Sequence, residues 1–313
     1  MAQSISGFAE AARVGLDIAC AQYNKNPDFI YKQIGFKPQV TTQQYLKAYD
    51  ERDMEYLTQV GENTAHPESI IELANTRSLY WYTYKGKVVL SEEKIDTDQT
   101  GYYKPGAVNS RLLNAAKMTE EAIHVQRFNL SFGTSYLMND GKPLCDAPTL
   151  GQGGHTLASG IQHNRGYYDG STYAEVSFSE TGVENIITNM SQYVSHKGNM
   201  APLMGPYKLL VGPRNFMAAR KFNETMKSIG NNYNNKNVAR DFIADVIMHP
   251  LITTASWWLI DTSNEIPLIT LVKDNIRSWT KADDDVSNVA LGVNFRKAAH
   301  ATGWRGIHGS YTA

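Results

Sequence analysis

Residues 76–90 read Thr-Arg-Ser-Leu-Tyr-Trp-Tyr-Thr-Tyr-Lys-Gly-Lys-Val-Val-Leu. Aromatic and β-branched residues dominate the stretch and no proline interrupts it, so it reads as strand. Alternation puts Leu79, Trp81 and Thr83 on one face and Tyr80, Tyr82 and Tyr84 on the other. Neither is an ordinary solvent face. Upstream, residues 43–60 carry Tyr45, Leu46, Tyr49, Met54, Tyr56 and Leu57, and the intervening VGENTAHPES marks a loop tip. The two runs predict a long hairpin clad in aromatics on both sides, which needs a partner to cover it. Leu79, Trp81 and Tyr82 are therefore expected to be inter-subunit contacts, buried only when neighbouring chains are in place.

Outward from the hairpin, the first 19 residues predict a short amphipathic helix with Phe8, Ala12, Leu16 and Ala19 on one face. Residues 24–38, bounded by Pro27 and Pro38, read as an extended arm. Pro105-Gly106 opens a helix over 107–128, with Val108, Leu112, Ala116, Thr119 and Ile123 at helical spacing. At 1.5 Å per residue it is about 30 Å long, the length of a domain's spine. A capping box at Thr181–Glu184 starts another helix, with Gly198 as its stop. YKLLV at 207–211 is a short buried strand. Pro213 starts a helix that runs to Gly230. Strands follow at 242–248, 256–260, 266–272 and 287–299, and Trp304-Arg305-Gly306 forms an exit turn. The second half is α+β, two helices against a sheet.

The 313 residues carry 30 Lys+Arg against 31 Asp+Glu, and 42% are hydrophobic. Ample apolar content at near-zero charge excludes a disordered chain. There is no basic excess of the kind a dedicated nucleic-acid binder carries. Two cysteines, Cys20 and Cys145, cannot make a disulfide scaffold or a four-cysteine metal site, and a reduced, cytosolic place of synthesis fits them. No apolar run is long enough to span a bilayer.

Motifs for chemistry are sparse. GQGGH at 151–155 lacks the Lys-Ser/Thr ending of a phosphate loop and reads as a mobile surface loop. The eight histidines form no HExxH; His155 with His163 is the only metal pair to consider. His124, four residues after Glu120, reads as an ordinary helix-face pair. Cys145 has no local catalytic partner and reads as a structural thiol. Asp283-Asp284-Asp285 reads as a solvated turn. The Asn-rich segment with Asn232 and Asn234 is a turn or loop. A chain poor in chemistry, with extended features that cannot bury their own apolar faces, suggests a subunit made to assemble.

Four stretches, taken in order, resemble the major capsid proteins of tailed bacteriophages, most closely the Mu-like major head family. The first is the hairpin passing through Gly86 into VVLSEEKIDTD and the long helix. The second is the Asp140-Gly141-Lys142-Pro143-Leu144 turn before the glycine-rich loop, although here CDAPTLGQGGH displaces the histidine that many relatives carry. The third is SETGVENIITNMSQYVSHKGNMAPLMGPYKLLVGPRNFMAARKF at 179–222. The fourth is WWLID, the strand through Asn294-Phe295-Arg296, and the closing WRGIHGSYTA.

The resemblance implies an α+β chain with the tailed-phage capsid fold, often called the Johnson fold. It maps 1–40 to an N-terminal arm and 41–90 to an extended loop. It maps 91–174 to a peripheral domain with the spine helix, 175–275 to an axial domain, and 276–313 to a return to the peripheral domain. It implies an icosahedral shell of pentamers and hexamers around non-specifically contacted double-stranded DNA. Scaffolding, portal and cement proteins are the further partners, and assembly takes place in the host cytoplasm. It implies no catalytic residue, metal, cofactor or membrane. Asn232 and Asn234 fall in a candidate axial loop, where neutral amides avoid like-charge crowding around an axis. The alternatives are an encapsulin-like compartment shell and a hydrolase using Cys145 or His155.

Overall fold

The computed structural model describes residues 5–25, 28–51, 73–147, 155–157, 160–168, 172–194, 203–225, 237–263, 266–283 and 288–312. Helix α1 (Ile5–Lys25) buries Phe8, Ala12, Leu16 and Cys20. It lies against the long helix, where the Asn109 side-chain amide donates to Ala12 O at 3.1 Å. The expected extended arm over 24–38 is corrected. It contains helix α2 (Ile30–Ile34) and strand β1 (Lys37–Val40), and Phe29, Tyr31, Ile34 and Phe36 are buried within the same chain. Four large apolar side chains in eight residues are too much surface to leave in an arm.

Strands β2 (Tyr45–Glu51) and β3 (Leu73–Tyr80) pair antiparallel, and β4 (Tyr82–Ser91) follows after a break at Trp81. Short helix α3 (Glu92–Asp96) leads to the spine, α4 (Pro105–Asn129), which starts with Pro105 where a missing N–H costs nothing. Two small hairpins follow, β5 (His155–Leu157) with β6 (Gly160–Gln162) and β7 (Tyr167–Tyr168) with β8 (Tyr173–Ala174). Helix α5 (Glu180–Ser191) is capped by Ser179, whose hydroxyl accepts from Gly182 N at 3.0 Å, so the cap sits two residues before the expected Thr181. It ends before Gly198, which lies outside the described residues.

Strand β9 (Tyr207–Val211) and helix α6 (Pro213–Glu224) match expectation, except that the helix ends before Gly230. Strands β10 (Ile243–Met248), β11 (Trp257–Asp261), β12 (Leu268–Asp283) and β13 (Asn288–Ala301) come next; β12 runs well past Val272 because it pairs with β13 along nearly its whole length. Gly306, at φ 84°, turns the chain into β14 (Ile307–Ser310).

Two four-stranded sheets organise these elements. The first has order β1-β12-β13-β4, with β1 parallel to β12. The second has order β10-β9-β11-β14. Strand β4, inside the segment expected as loop through residue 90, is thus part of the first sheet. Strand β14, inside the expected peripheral return, completes the second.

Consecutive tryptophans join the layers. Every residue of β11 is buried, and strand alternation sends Trp257 and Trp258 to opposite faces. Trp257 meets Phe178, which meets Phe222 of α6. Trp258 meets Phe128 at the end of α4 at 5.5 Å and donates to Ser131 Oγ at 3.1 Å. Both indole N–H groups are satisfied, Trp257 by Val176 O, as buried indoles require.

Candidate assembly surface and the networks behind it

The hairpin is rooted by hydrogen bonds from the first sheet. His300 Nε2 donates to Tyr80 O at 2.8 Å, and its Nδ1 accepts from the Tyr136 hydroxyl at 3.2 Å. Burial drives the His300 imidazole down to about 4, so it stays neutral and keeps this donor–acceptor pattern. Arg77 of β3 lies over the Tyr136 ring and donates to Leu137 O. Trp81 donates to Gln43 O at 3.1 Å beneath the Arg296 guanidinium.

The break at Trp81 changes the expected pattern of faces. Leu79 is fully buried within one chain, opposite Leu46, so its side chain is not waiting for a neighbour. Tyr84 stacks on Phe295 of the first sheet. Tyr80 and Tyr82 remain 48% and 55% exposed, Trp81 half-buried, and Tyr45 meets Tyr80 as an exposed ring pair at 5.9 Å. Residues before Trp81 pair with β2 and those after it with β13, so a single alternation does not run through 76–90. Asn232 and Asn234 lie outside the described residues.

Behind this surface, two adjacent glutamates of α4 hold the chain's parts together. The Glu121 carboxylate accepts from Ile30 N at 2.7 Å and Tyr31 N at 3.2 Å, capping α2, and from His249 Nε2 at 3.0 Å. His249 Nδ1 accepts from Leu251 N, which fixes the proton on Nε2. Glu120, one residue away, accepts from Lys297 Nζ of β13 at 2.7 Å and from the Tyr31 hydroxyl at 3.4 Å. His124 is no surface partner of Glu120. It is buried, stacked flat on Tyr31 at 3.5 Å, donating from Nδ1 to Glu120 O and accepting at Nε2 from Thr270 Oγ1. Burial lowers it to about 3, so it is a neutral spacer between helix and sheet. The first sheet, the N-terminal segment and the second sheet thereby meet at one turn of α4.

His155 and Cys145, the residues of the hydrolase alternative, serve similar joints. His155, expected at the end of a mobile loop, is fully buried on β5 and stacked on Trp304. Its Nδ1 is hydrogen-bonded to Asp140 at 2.5 Å and its Nε2 to Asn164 Oδ1 at 3.0 Å. The amide of Asn164 is fixed by donation to Leu144 O and Ile307 O. Asp140 and Asn164 engage both His155 nitrogens, and the described residues contain no metal-holding cluster. Cys145 is fully buried and desolvation pushes its thiol up to about 12, far from the thiolate a nucleophile requires. Lys297 and Glu121 are the residues sequence reasoning missed. The signal was available, since Lys297 stands in phase with the buried Val289, Leu291, Val293 and Phe295.

Residues 76–309 match a family model described as phage capsid protein. The chain belongs to the phage capsid protein family. Among solved structures, the capsid of Ralstonia phage GP4 is similar at 11% identity with a TM-score of 0.53, covering 88% of this chain and 87% of that one. The capsid of Myoviridae Phage XM1 is similar at 12% identity with a TM-score of 0.50, covering 91% and 92%. At such identities the likeness is one of fold: this capsid protein has the α+β fold of tailed-phage capsids. No curated protein matches. The networks of this phage capsid protein are the internal braces of a shell subunit, and Tyr45, Tyr80 and Tyr82 stay exposed outside them.

Proposed function

We propose that this capsid protein is the repeating major head subunit of a tailed phage of the Mu-like branch. It closes into fivefold and sixfold rings that tile an icosahedral shell around double-stranded DNA. The family match over 76–309 carries the reading. The exposed Tyr45–Tyr80 pair, Tyr82 and half-buried Trp81 on a hairpin that leaves the first sheet support it. Heterologous contacts of this kind close into rings when the rotation allows it. Many modest contacts per subunit then add by avidity.

In this reading α4 and the sheet β1-β12-β13-β4 form the peripheral domain, and the sheet β10-β9-β11-β14 with α5 and α6 forms the axial domain. The segment with Asn232 and Asn234 points toward the symmetry axes. Segment 1–40 is the arm, here docked on its own subunit, and 41–80 is the extended loop. Scaffolding, portal and cement proteins are further partners, and the role is structural, in a virion assembled in the host cytoplasm. Negative-stain microscopy of the expressed chain tests the proposal. Hollow shells or rings of five or six are expected; discrete monomers at every concentration and salt would refute it.

A further inference from the structure

Between the N-terminal segment and the first sheet lies a cavity of about 120 Å³, partly open to solvent. Its two sides come from distant parts of the chain. One is the end of α1 with the segment from Phe29 to Pro38, and the other is β12 and β13 at Thr270, Val272 and Lys297. The buried networks pass around this space without filling it. Glu120 accepts from Lys297 and the Tyr31 hydroxyl, and Thr270 Oγ1 is taken by His124.

The walls are aromatic. Tyr23, Phe29, Tyr31 and Phe36 line the cavity and already pack ring to ring. Tyr23 meets Phe29 edge-on at 5.6 Å, Phe29 meets Tyr31 tilted at 4.9 Å, and Tyr31 meets Phe36 edge-on at 6.1 Å. One more flat ring would continue that packing, since aromatic pairs favour offset and edge-to-face arrangements. The volume suits a single ring: an apolar cavity of about 150 Å³ admits benzene, and here the open mouth leaves room for a substituent to project.

The charge around the cavity is one-sided. No acid lines it, whereas Lys32 and Lys297 do. Lys297 is held by Glu120 behind the wall, and Glu121 is engaged by Ile30 N, Tyr31 N and His249. Lys32 is exposed, with its ammonium 5.7 Å from the Phe29 ring centroid, and Lys117 of α4 stands 5.9 Å from the same ring. Neither of these two lysines is in an ion pair among the described residues. The Tyr23 hydroxyl is buried and meets no acceptor at hydrogen-bond distance. Burial first, and then the Glu120 charge, keep it protonated, so it too is a donor. The cavity therefore offers aromatic surface, donors and cations, with no anion.

We propose that this cavity is a binding site for a small aromatic carboxylate, a single ring carrying one acid group. The ring lies among Phe29, Tyr31 and Phe36, and the carboxylate projects toward Lys32, with Lys117 adding to the same field. An aliphatic acid would leave the walls unpacked, and a neutral ring would leave the lysines without a counter-charge. Because the ligand touches both the N-terminal segment and the first sheet, binding stabilises the docked state of that segment by mass action. The site lies within one chain and stands apart from the shell reading.

Fluorine NMR of para-fluorobenzoate titrated onto the full chain at low salt tests it, with benzoate as competitor and benzamide and acetate as controls. Saturable binding is expected with a dissociation constant of roughly 0.1–10 mM. Benzoate should displace the probe, benzamide should bind about fivefold or more weakly, and acetate should not compete. At about ten times its dissociation constant, benzoate should raise the melting temperature by about 2 °C. Asn275 is exposed in the lining, so Asn275→Trp places a ring in the mouth and should abolish binding. Lys32→Glu should weaken benzoate about fivefold or more at low salt and leave benzamide unchanged, and it decides the matter should the blocking variant fail to fold. No saturable binding up to about 50 mM would overturn the proposal. So would acetate competing as well as benzoate, or benzoate binding that survives both substitutions, which would mark a non-specific surface contact.

Discussion

Replacing Lys297 with Met removes the one cation hydrogen-bonded to the fully buried Glu120 carboxylate. Its remaining donors among the described residues are weaker, the Tyr31 hydroxyl standing 3.4 Å away. Breaking a buried ion pair on one side typically costs about 3–5 kcal/mol, because the other charge is left uncompensated. For a chain of 313 residues that corresponds to a fall in melting temperature of roughly 5–8 °C at neutral pH. The pH dependence gives a second reading. Burial holds the Glu120 carboxyl above the usual carboxylate range even with Lys297 beside it, and losing the cation raises it further. A carboxyl raised on folding binds more protons in the folded state than in the unfolded one. Its stability contribution is full below the unfolded value of about 4.3 and is lost as pH climbs toward the folded value. The deficit of Lys297→Met should therefore be largest near neutrality and shrink as pH falls from there toward about 4.3. Adding Glu120→Gln should recover most of the loss, since the amide keeps an acceptor for Tyr31 without a charge. Calorimetry across pH 4–8 checks all three. Unchanged melting at pH 7, a deficit that grows on acidification, or a double variant no better than the single one would refute the reasoning.

Leu112→Ala, on the buried face of the spine helix, should destabilise the subunit by about 2–5 kcal/mol, read as an earlier urea midpoint. Cys145 should resist iodoacetamide at pH 8 in the native protein and react once the chain is unfolded, as its buried, raised thiol requires. Asn232→Asp/Asn234→Asp adds two negative charges per subunit; with an axial location, ring formation weakens at low salt and recovers in part at 1 M, where screening acts within roughly 3 Å. Unchanged assembly at low salt places the loop elsewhere.

Elements whose identity is local were legible in the sequence. The spine helix follows from spacing and Pro105, and YKLLV and WWLID from short apolar runs that only a buried strand accommodates. The long pairings were not. Lys37–Val40 lies parallel to Ile269–Val272, more than 200 residues on, and nothing in either segment names the other. The break at Trp81 also escaped reading, because alternation continues through it in sequence while the pairing partner changes from β2 to β13. That is why Leu79 reads as surface and lies buried. From its spacing to Glu120, His124 reads as an ordinary helix-face pair, yet Glu120 stands at i+4 from buried Ala116 and so shares the inward stripe. A polar residue in phase with the core is the sign of a satisfied buried network.

Both sheets close on strands that leave the ribosome last. β1 and β4 must wait for β12 and β13, and β11 borders an open edge until Ile307–Ser310 arrives to form β14. During synthesis, the early hairpin with its exposed tyrosines therefore emerges before the sheet that roots it exists. A nascent chain of this kind has high contact order and presents sticky aromatic surface for a long interval, so its folding is slow and exposed to aggregation.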